Sequence, residues 1–409
     1  VPSDDAIPED KKGVYKAVTT IDEVRLLFSR AESAGGLIAL DTETTGLEED
    51  ASIVGFSFSF EEGAAYYAPL TAGGEQYLTA ESVKELFDEF LASGRLAVIN
   101  QNVKYDLKAI WNLGSDIKRI HFDTMIAAWL LDSNANVYNL DELSSRYLAH
   151  QTIRYEDVVE KGMPFSSVPL DKATAYAAED SDMAYRLYLL LSAKLEERSL
   201  MGVFNEYELP LIRILAGMER RGIHLSDERI RALSEECGKR VDDLVNEIYR
   251  MAGHSFNLNS TRQLSKVLFE EMSLPAGKKT QYGYSTDTAT LEGLRSTGGK
   301  FIEHILEYRQ LSKLMSTYID VLPSLADADG RIHTSFLQTG TATGRLSSRN
   351  PNLQNIPVRT DEGRMIRSAF TPADGTVFLS ADYSQVELVV LAHMSGDEGL
   401  RNAFISGTD

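Results

Sequence analysis

The chain has 409 residues, is 43% hydrophobic and 25% charged, and carries a formal net charge of −20. That length exceeds what one hydrophobic core usually serves, so two or three domains are expected, and the composition is globular rather than disordered or fibrous. A lone cysteine, Cys237, excludes an internal disulfide and a cysteine-built zinc site; no apolar run reaches bilayer length, and Val1 to Lys12 lacks signal-peptide character. These features fit a cytoplasmic protein with no membrane partner.

The acidity would argue against nucleic-acid binding only if it were spread evenly. Between Arg331 and Phe370, however, six arginines (Arg331, Arg345, Arg349, Arg359, Arg364, Arg367) stand against only Asp361 and Glu362. A local basic stretch can hold DNA on an acidic chain. The chain opens on Val1 and stops at Gly407-Thr408-Asp409 soon after a strongly patterned segment, so a fragment is expected.

In chain order, Leu37 to Asp41 is a short apolar run before a turn at Thr45-Gly46. Ile53 to Phe60 alternates with Phe56, Phe58 and Phe60 on one side, predicting a half-buried strand, with Ala64 to Leu70 as its hairpin partner. Glu81 to Leu91 has helical spacing, Leu96 to Asn100 reads as a buried strand, and Lys104 to Leu113 returns to helix. Asp123 to Leu131, Leu140 to Leu148 and the long run Asp171 to Leu195 are helical. This order predicts a mixed sheet with helices packed on it.

From Glu206 the pattern becomes that of long amphipathic helices: Glu206 to Arg221, with Gly222 as C-cap, and Glu228 to Met251. Ser260-Thr261-Arg262-Gln263 has capping-box form. Ala276 to Thr290 is polar, with Lys278, Lys279, Tyr282 and Tyr284. Phe301 to Leu322 reads as a helix stopped by Pro323, predicting a protruding helical pair with a basic tip. Ile332 to Leu337 and Val377 to Ala381 read as strands flanking an arginine-rich loop, the second leading to Asp382.

Three separated pieces carry chemistry. Asp41-Thr42-Glu43 ends a strand, where residues i and i+2 share a face. Asn102 to Asp106 follows the strand Leu96 to Asn100. Tyr176 and Asp180 are one turn apart on a helix. Taken singly each has an ordinary reading: a chance D-x-E, a carboxylate near a helix start, a core aromatic beside a surface charge. Brought together, four carboxylates require cations, and an all-oxygen set suits two Mg²⁺ or Mn²⁺ ions serving in-line displacement at phosphorus, with the tyrosine hydroxyl orienting water.

Leu40-Asp41-Thr42-Glu43-Thr44-Thr45-Gly46-Leu47, Asn102 to Asp106 and Tyr176 to Asp180 resemble, in order, the three motifs of the DEDD 3′–5′ exonucleases in their tyrosine variant. The resemblance implies an RNase H-like domain in which Asp41, Glu43 and Asp180 bind metal directly. It implies that Asp106 acts on the second metal through water and that Tyr176 positions the nucleophilic water. Thr44 and Leu47 would lie near the 3′-terminal nucleotide, and Asn102 would steady the site.

Thr343-Gly344-Arg345-Leu346-Ser347-Ser348 and Pro351 to Pro357 are similar to a signature of bacterial family A DNA polymerases. So are Met365 to Phe370, and Asp382-Tyr383-Ser384-Gln385-Val386-Glu387-Leu388, which resembles the family's motif A. This implies that Arg345, Asn352, Gln354, Asn355 and Arg367 contact DNA, where Arg, Gln and Asn can test minor-groove geometry without reading sequence. It also implies that Asp382 binds catalytic metal, and that Tyr383, Gln385 and Glu387 contact the nucleotide. Val389 departs from the family's usual arginine. Lys278, Lys279, Tyr284 and Ser285 resemble the thumb tip that contacts the duplex. The family implies an exonuclease domain over 1–200, a mostly helical thumb over 201–328 and the start of an α+β palm over 329–409.

The second catalytic aspartate and the residues that grip the triphosphate would follow Asp409, so this chain is expected to trim DNA 3′ ends as a monomer but not to polymerise, with dNTPs bound only by the full-length enzyme. The alternatives are a non-catalytic DNA-binding remnant and an exoribonuclease using the same carboxylates.

Overall fold

The computed structural model describes residues 13–277, 279–280, 283–358, 360–373 and 375–407; Val1 to Lys12, Lys278, Tyr282, Arg359, Thr408 and Asp409 lie outside them. The first half contains β1 (Val14–Ala17), α1 (Ile21–Ser33), β2 (Leu37–Thr44), β3 (Ile53–Glu61), β4 (Ala64–Pro69), α2 (Ala80–Phe87), β5 (Ala97–Asn100), α3 (Val103–Leu113), β6 (Ile120–Asp123), α4 (Thr124–Leu131) and α5 (Leu170–Glu197). The six strands form one sheet in the order β1-β4-β3-β2-β5-β6. β2, β3 and β4 are antiparallel neighbours, while β1 lies parallel to β4, β5 to β2, and β6 to β5. The expected mixed α/β sheet is present.

One expectation changes. β3 is buried on both faces rather than one, with only Glu61 exposed. Its large side chains pack against α1 and α2, with Phe58 at 5.0 Å from the Phe28 ring and Phe56 at 4.9 Å from Phe87. Its other face is built of small residues, Gly55 and Ser57, so α5 can lie close across it. The meeting residues on α5 are also small: Ala177, Ala178 and Ser181 are buried, and Ser181 Oγ is 2.6 Å from Ser57 Oγ. Small residues on both sides of a helix–sheet contact let the backbones approach.

The rest of the chain contains α6 (Leu209–Arg221), whose Ile212 and Ala216 pack into the first core, then α7 (Asp227–Ala252), α8 (Arg295–Leu314), α9 (Asp361–Ala369) and α10 (Val386–Ser395). Ile230, Leu233, Leu244 and Ile248 of α7 share a core with Phe301, Ile302, Ile305 and Leu311 of α8. Lys279–Thr280 and Gly283–Tyr284 pair as a minimal antiparallel ribbon. Ser260 caps its helix by accepting from Gln263 N at 3.3 Å, but the capping box is only half made, because the Gln263 side chain accepts from Asn257 N at 2.8 Å.

Other expectations are corrected. α8 begins at Arg295 and bends at Gly299, whose φ of 51° is left-handed. The helical run continues through the π turn Met315–Ile319, and Pro323 sits beyond its end in the first turn of the short helix Leu322–Leu325, because proline fits where no helical N–H is required. Ile332 to Leu337 divides into two short strands: Arg331–Ile332 pairs with Ile223–His224, and Ser335–Leu337 with Ser347–Arg349. Val377 to Ala381 forms no strand, since no described segment takes its backbone groups, and a strand exists only with a ladder partner. No helix among the described residues is long and apolar enough to cross a membrane.

The halves meet at a buried acid. Glu219, on α6, is 1% exposed and accepts from Lys104 Nζ, from Lys108 Nζ at 3.1 Å, and from Phe336 N at 2.7 Å. Lys104 and Lys108 stand one turn apart on α3, and Lys104 Nζ also donates to the Phe336 carbonyl. A small cavity of about 110 Å³ beside them is lined by Asn102, Glu219, Phe336 and Arg349 among others. Glu219→Ala would leave two mostly buried lysines without their shared acid, and loss of one partner from such a buried pair costs roughly 3–5 kcal/mol. Urea unfolding should show a destabilisation of that order, with Glu219→Gln losing less because its amide oxygen can still accept from Phe336 N.

Candidate metal centre

The centre is built where β2 leaves its parallel neighbour. β2 pairs with β5 only as far as Ala39 opposite Ile99, after which the chain turns into α3. Asp106 of α3 takes over as acceptor for the strand: its Oδ1 accepts from Thr42 N at 2.8 Å and from Thr42 Oγ1 at 2.7 Å. Thr42 is thus anchored away from Asp41 and Glu43, which project together toward α5.

Ligand oxygens of Asp41, Glu43 and Asp180 all lie within 4.8 Å of one another. Burial, then Asp106 and Asp180, drive the Asp41 pKa well above the carboxylate range. Glu43 rises through burial and the charges of Asp41 and Asp106, and Asp180 rises through burial, Glu43, Glu179 and Asp141. Asp106 rises to about 7, chiefly by burial, against the hydrogen bonds from Thr42 and Asn100. Among the described residues no lysine or arginine is paired with this group. An oxygen-only, uncompensated set of this kind fits hard divalent cations. Tyr176 stands one turn before Asp180 on α5, and its ring lies 5.8 Å from Phe165 and 6.2 Å from Tyr155.

Neighbouring acids on α5 are committed elsewhere. Asp182 accepts from Tyr15 Oη at 2.9 Å and Gly63 N at 2.8 Å, and pairs with Arg186 at 2.7 Å. Glu179 bonds His150 Nε2 at 2.8 Å and Ile153 N at 2.6 Å. Of these three acids only Asp180 belongs to the metal-competent group. The sequence reading missed these supports, as it missed Asp123, which accepts from Val103 N at 2.9 Å and from Met125 N and Ile126 N at 3.0 and 3.2 Å. An Asp immediately before the α4 run is a readable N-cap signal. Nothing in the sequence marks Asp182.

Around the centre, Thr44 Oγ1 donates to the Gly46 carbonyl at 2.7 Å and contacts the Tyr105 hydroxyl, which itself donates to that carbonyl at 2.8 Å. The fastened turn holds Leu47 out in solvent, 88% exposed. Asn102 precedes α3 with a left-handed φ of 65°.

The polymerase-like residues do not form a comparable cluster. Arg345 lies 3.5 Å from Glu387 with both side chains exposed. Asn352 accepts from Ser348 Oγ at 3.2 Å, Gln354 donates to the Leu346 carbonyl at 3.1 Å, and Asn355 lies in the short helix Leu353–Asn355. Arg367 is turned back onto the Ile356 and Pro357 carbonyls at 2.9 and 3.2 Å. Asp382 and Tyr383 are exposed in coil, and Gln385 precedes α10 with a φ of 52°. Val389 is partly exposed on α10. Lys279 is exposed and Ser285 donates to Asp287 at 2.8 Å, whereas Tyr284 is half-buried with its ring 5.3 Å from Phe269; Lys278 lies outside the described residues.

Comparison with known proteins agrees with this division. A 3′–5′ exonuclease family model matches residues 15–196, and the model of DNA polymerase family A matches residues 227–409. Residues 227–409 thus match a family A polymerase domain, and residues 15–196 a 3′–5′ exonuclease domain. It is 42% identical to DNA polymerase I of Treponema pallidum across 96% of this chain and 43% of that protein. It is 41% identical to DNA polymerase I of Pseudomonas aeruginosa across 90% of this chain and 42% of that one. The chain therefore spans less than half the length of these relatives. Among solved structures it resembles the POL domain of Pol1 from M. smegmatis, in complex with DNA primer-template and dNTP. There the TM-score is 0.81 and the identity 30%, covering 96% of this chain and 65% of that one. The exonuclease family implies use of divalent metal, in keeping with the acidic group.

The raised carboxylates give a pH prediction. A group whose folded pKa exceeds its unfolded value stabilises the fold below the unfolded pKa, and that contribution is lost as pH rises through the folded value. Protons and cations compete for the same oxygens. A divalent cation at about 100 times its Kd should add about 2.7 kcal/mol, seen as a larger rise in Tm at about pH 8 than at about pH 5.5. Asp180→Asn should shrink the rise at the higher pH.

Proposed function

We propose that the first half of this chain is a 3′–5′ exonuclease that removes nucleotides from DNA 3′ ends using two Mg²⁺ or Mn²⁺ ions, within a polymerase whose remaining parts supply synthesis. The observation that carries this reading is the convergence of Asp41, Glu43 and Asp180, with Tyr176 one turn before Asp180 on the same helix. The cations would supply Lewis-acid stabilisation of the attacking and leaving oxygens and an activated water.

The chain's own residues do the rest. Asp41, Glu43 and Asp180 would hold the metal, with Asp106 behind them beside Thr42. Tyr176 would orient the attacking water, its phenol staying protonated because burial and the neighbouring carboxylates push its pKa up. Leu47, held out by the Thr44–Gly46–Tyr105 contacts, would pack on the terminal nucleotide, and Asn102 would steady the approach. A single chain contributes every one of these groups, which supports a monomer.

In the second half, Arg345, Asn352, Gln354, Asn355 and Arg367 would follow duplex DNA in the minor groove, and Lys279 and Ser285 its backbone. Asp382, Tyr383, Gln385 and Glu387 would meet the incoming nucleotide. Synthesis by this chain alone is not proposed, because Asp382 belongs to no metal-competent carboxylate group among the described residues. We assign 1–200 to the exonuclease, 201–328 to a thumb and 329–409 to the start of a palm; the first core extends through Phe204, Ile212 and Ala216 and the second begins at Leu225.

A 5′-labelled single-stranded DNA should be shortened from its 3′ end with Mg²⁺ or Mn²⁺ and left intact with EDTA. Asp41→Ala or Asp180→Ala should lower the rate about 10³-fold or more, equivalent to roughly 4 kcal/mol of transition-state stabilisation. Tyr176→Phe should cost about 10²-fold. Retained activity in Asp41→Ala would reject the site, and faster cleavage of an RNA competitor would reject DNA as the substrate.

A further inference from the structure

One buried group beside the centre has no work assigned to it. Tyr67, on β4, is 0% exposed, yet its hydroxyl has no hydrogen-bond partner. An orphaned buried hydroxyl costs about 1–3 kcal/mol, so its position calls for a cause. The sheet register supplies one. Glu43 of β2 stands opposite Gly55 of β3, and Tyr67 of β4 stands opposite Ser57, two residues along β3 from that glycine. The phenol reaches diagonally over Gly55: a methyl group there would lie only 2.2 Å from Tyr67 Oη. The oxygen therefore occupies the space a side chain at position 55 would fill, directly across the ladder from Glu43. Directly opposed side chains in an antiparallel pair have Cβ atoms only about 4.5–5.5 Å apart. The Glu43 charge is felt at Tyr67, raising its pKa along with burial.

The ring is held there from behind. Tyr67 belongs to an apolar cluster with Phe165, Ala177 and Ala178, its ring edge-on to Phe165 at 6.4 Å, and Phe165 also supports Tyr176. The donor is thus fixed in place across the ladder from one metal-competent carboxylate, with no protein partner of its own. Carboxylates that hold metal are generally hydrogen-bonded in turn by a second layer of residues, and losing such a partner costs about 10–100-fold in affinity or activity.

We propose that Tyr67 is a positioning residue for the metal centre, its hydroxyl donating to the Glu43 carboxylate when that carboxylate binds a divalent cation. The inference rests on the metal-dependent reading above. It assigns Gly55 a purpose as well, since any side chain there would displace the phenol. Without a cation on Glu43 the hydroxyl would only cost stability, and with one bound it would fix the Glu43 rotamer.

The test is Tyr67→Phe in the full chain, with Mn²⁺ binding followed by calorimetry and thermal unfolding measured with EDTA. The expected result is Mn²⁺ affinity weakened about tenfold or more, together with an ion-free Tm equal to or above that of the parent. The Mn²⁺ concentration for half-maximal nuclease rate should rise in step, with the rate recovering at saturation. Unchanged Mn²⁺ affinity would overturn the inference while leaving the centre intact. A lower ion-free Tm would overturn it too, because the hydroxyl would then have a structural partner. Absence of Mn²⁺ binding by the parent chain would instead reject the metal reading on which the proposal stands.

Discussion

The close approach of α5 to β3 is the contact on which the candidate centre depends. Asp41 and Glu43 come from one strand and Asp180 from a helix far along the chain, so ligand spacing is set by how near that helix can lie. Gly55 and Ser57 on the strand, and Ala177, Ala178 and Ser181 on the helix, keep the interface thin, with Ser57 and Ser181 bonded across it at 2.6 Å. A larger residue at Ser57, Ala177, Ala178 or Ser181 would lift the helix, and ligand geometry tolerates displacements of only about 0.5 Å. The carboxylates repel one another across the gap, so the apolar contacts and the Asp182–Arg186–Tyr15 network must hold the helix down against them.

That network also shows how one helix sorts similar acids into different tasks. Glu179, Asp180 and Asp182 are near neighbours in sequence, but Glu179 is taken by His150 and Ile153, and Asp182 by Arg186, Gly63 and Tyr15. Satisfied acids fasten the helix; the unsatisfied one is left for a cation. The same logic holds on α3, where Asp106 faces the centre while Lys104 and Lys108 turn toward Glu219. Opposite signs are thereby kept on opposite sides of one helix.

Much of this was legible in the residue order because the informative spacings were local. D-x-E on a strand and Y-x-x-x-D on a helix fix which side chains share a face without any knowledge of the fold, and the mixed sheet followed from alternation and apolar runs. What escaped the reading depends on distant partners. Burial of both faces of β3 depends on a helix more than a hundred residues away, and Tyr67 and Glu219 look like an ordinary strand aromatic and an ordinary helix acid until the register and the neighbouring half are seen. Val377 to Ala381 failed in the opposite sense: its composition favours a strand, but composition cannot provide a neighbour, and the apolar residues of α10 that follow are likewise largely uncovered.

Glu219 links these halves thermodynamically. Its three donors come from the helix that carries Asp106 and from the short strand that leads toward the arginine loop. Parting Ser335–Leu337 from α3 and α6 would strip Glu219 of its Phe336 N–H donor and Lys104 of the Phe336 carbonyl together. Amide exchange on α3 and on Ser335–Leu337 would then be governed by a shared opening event.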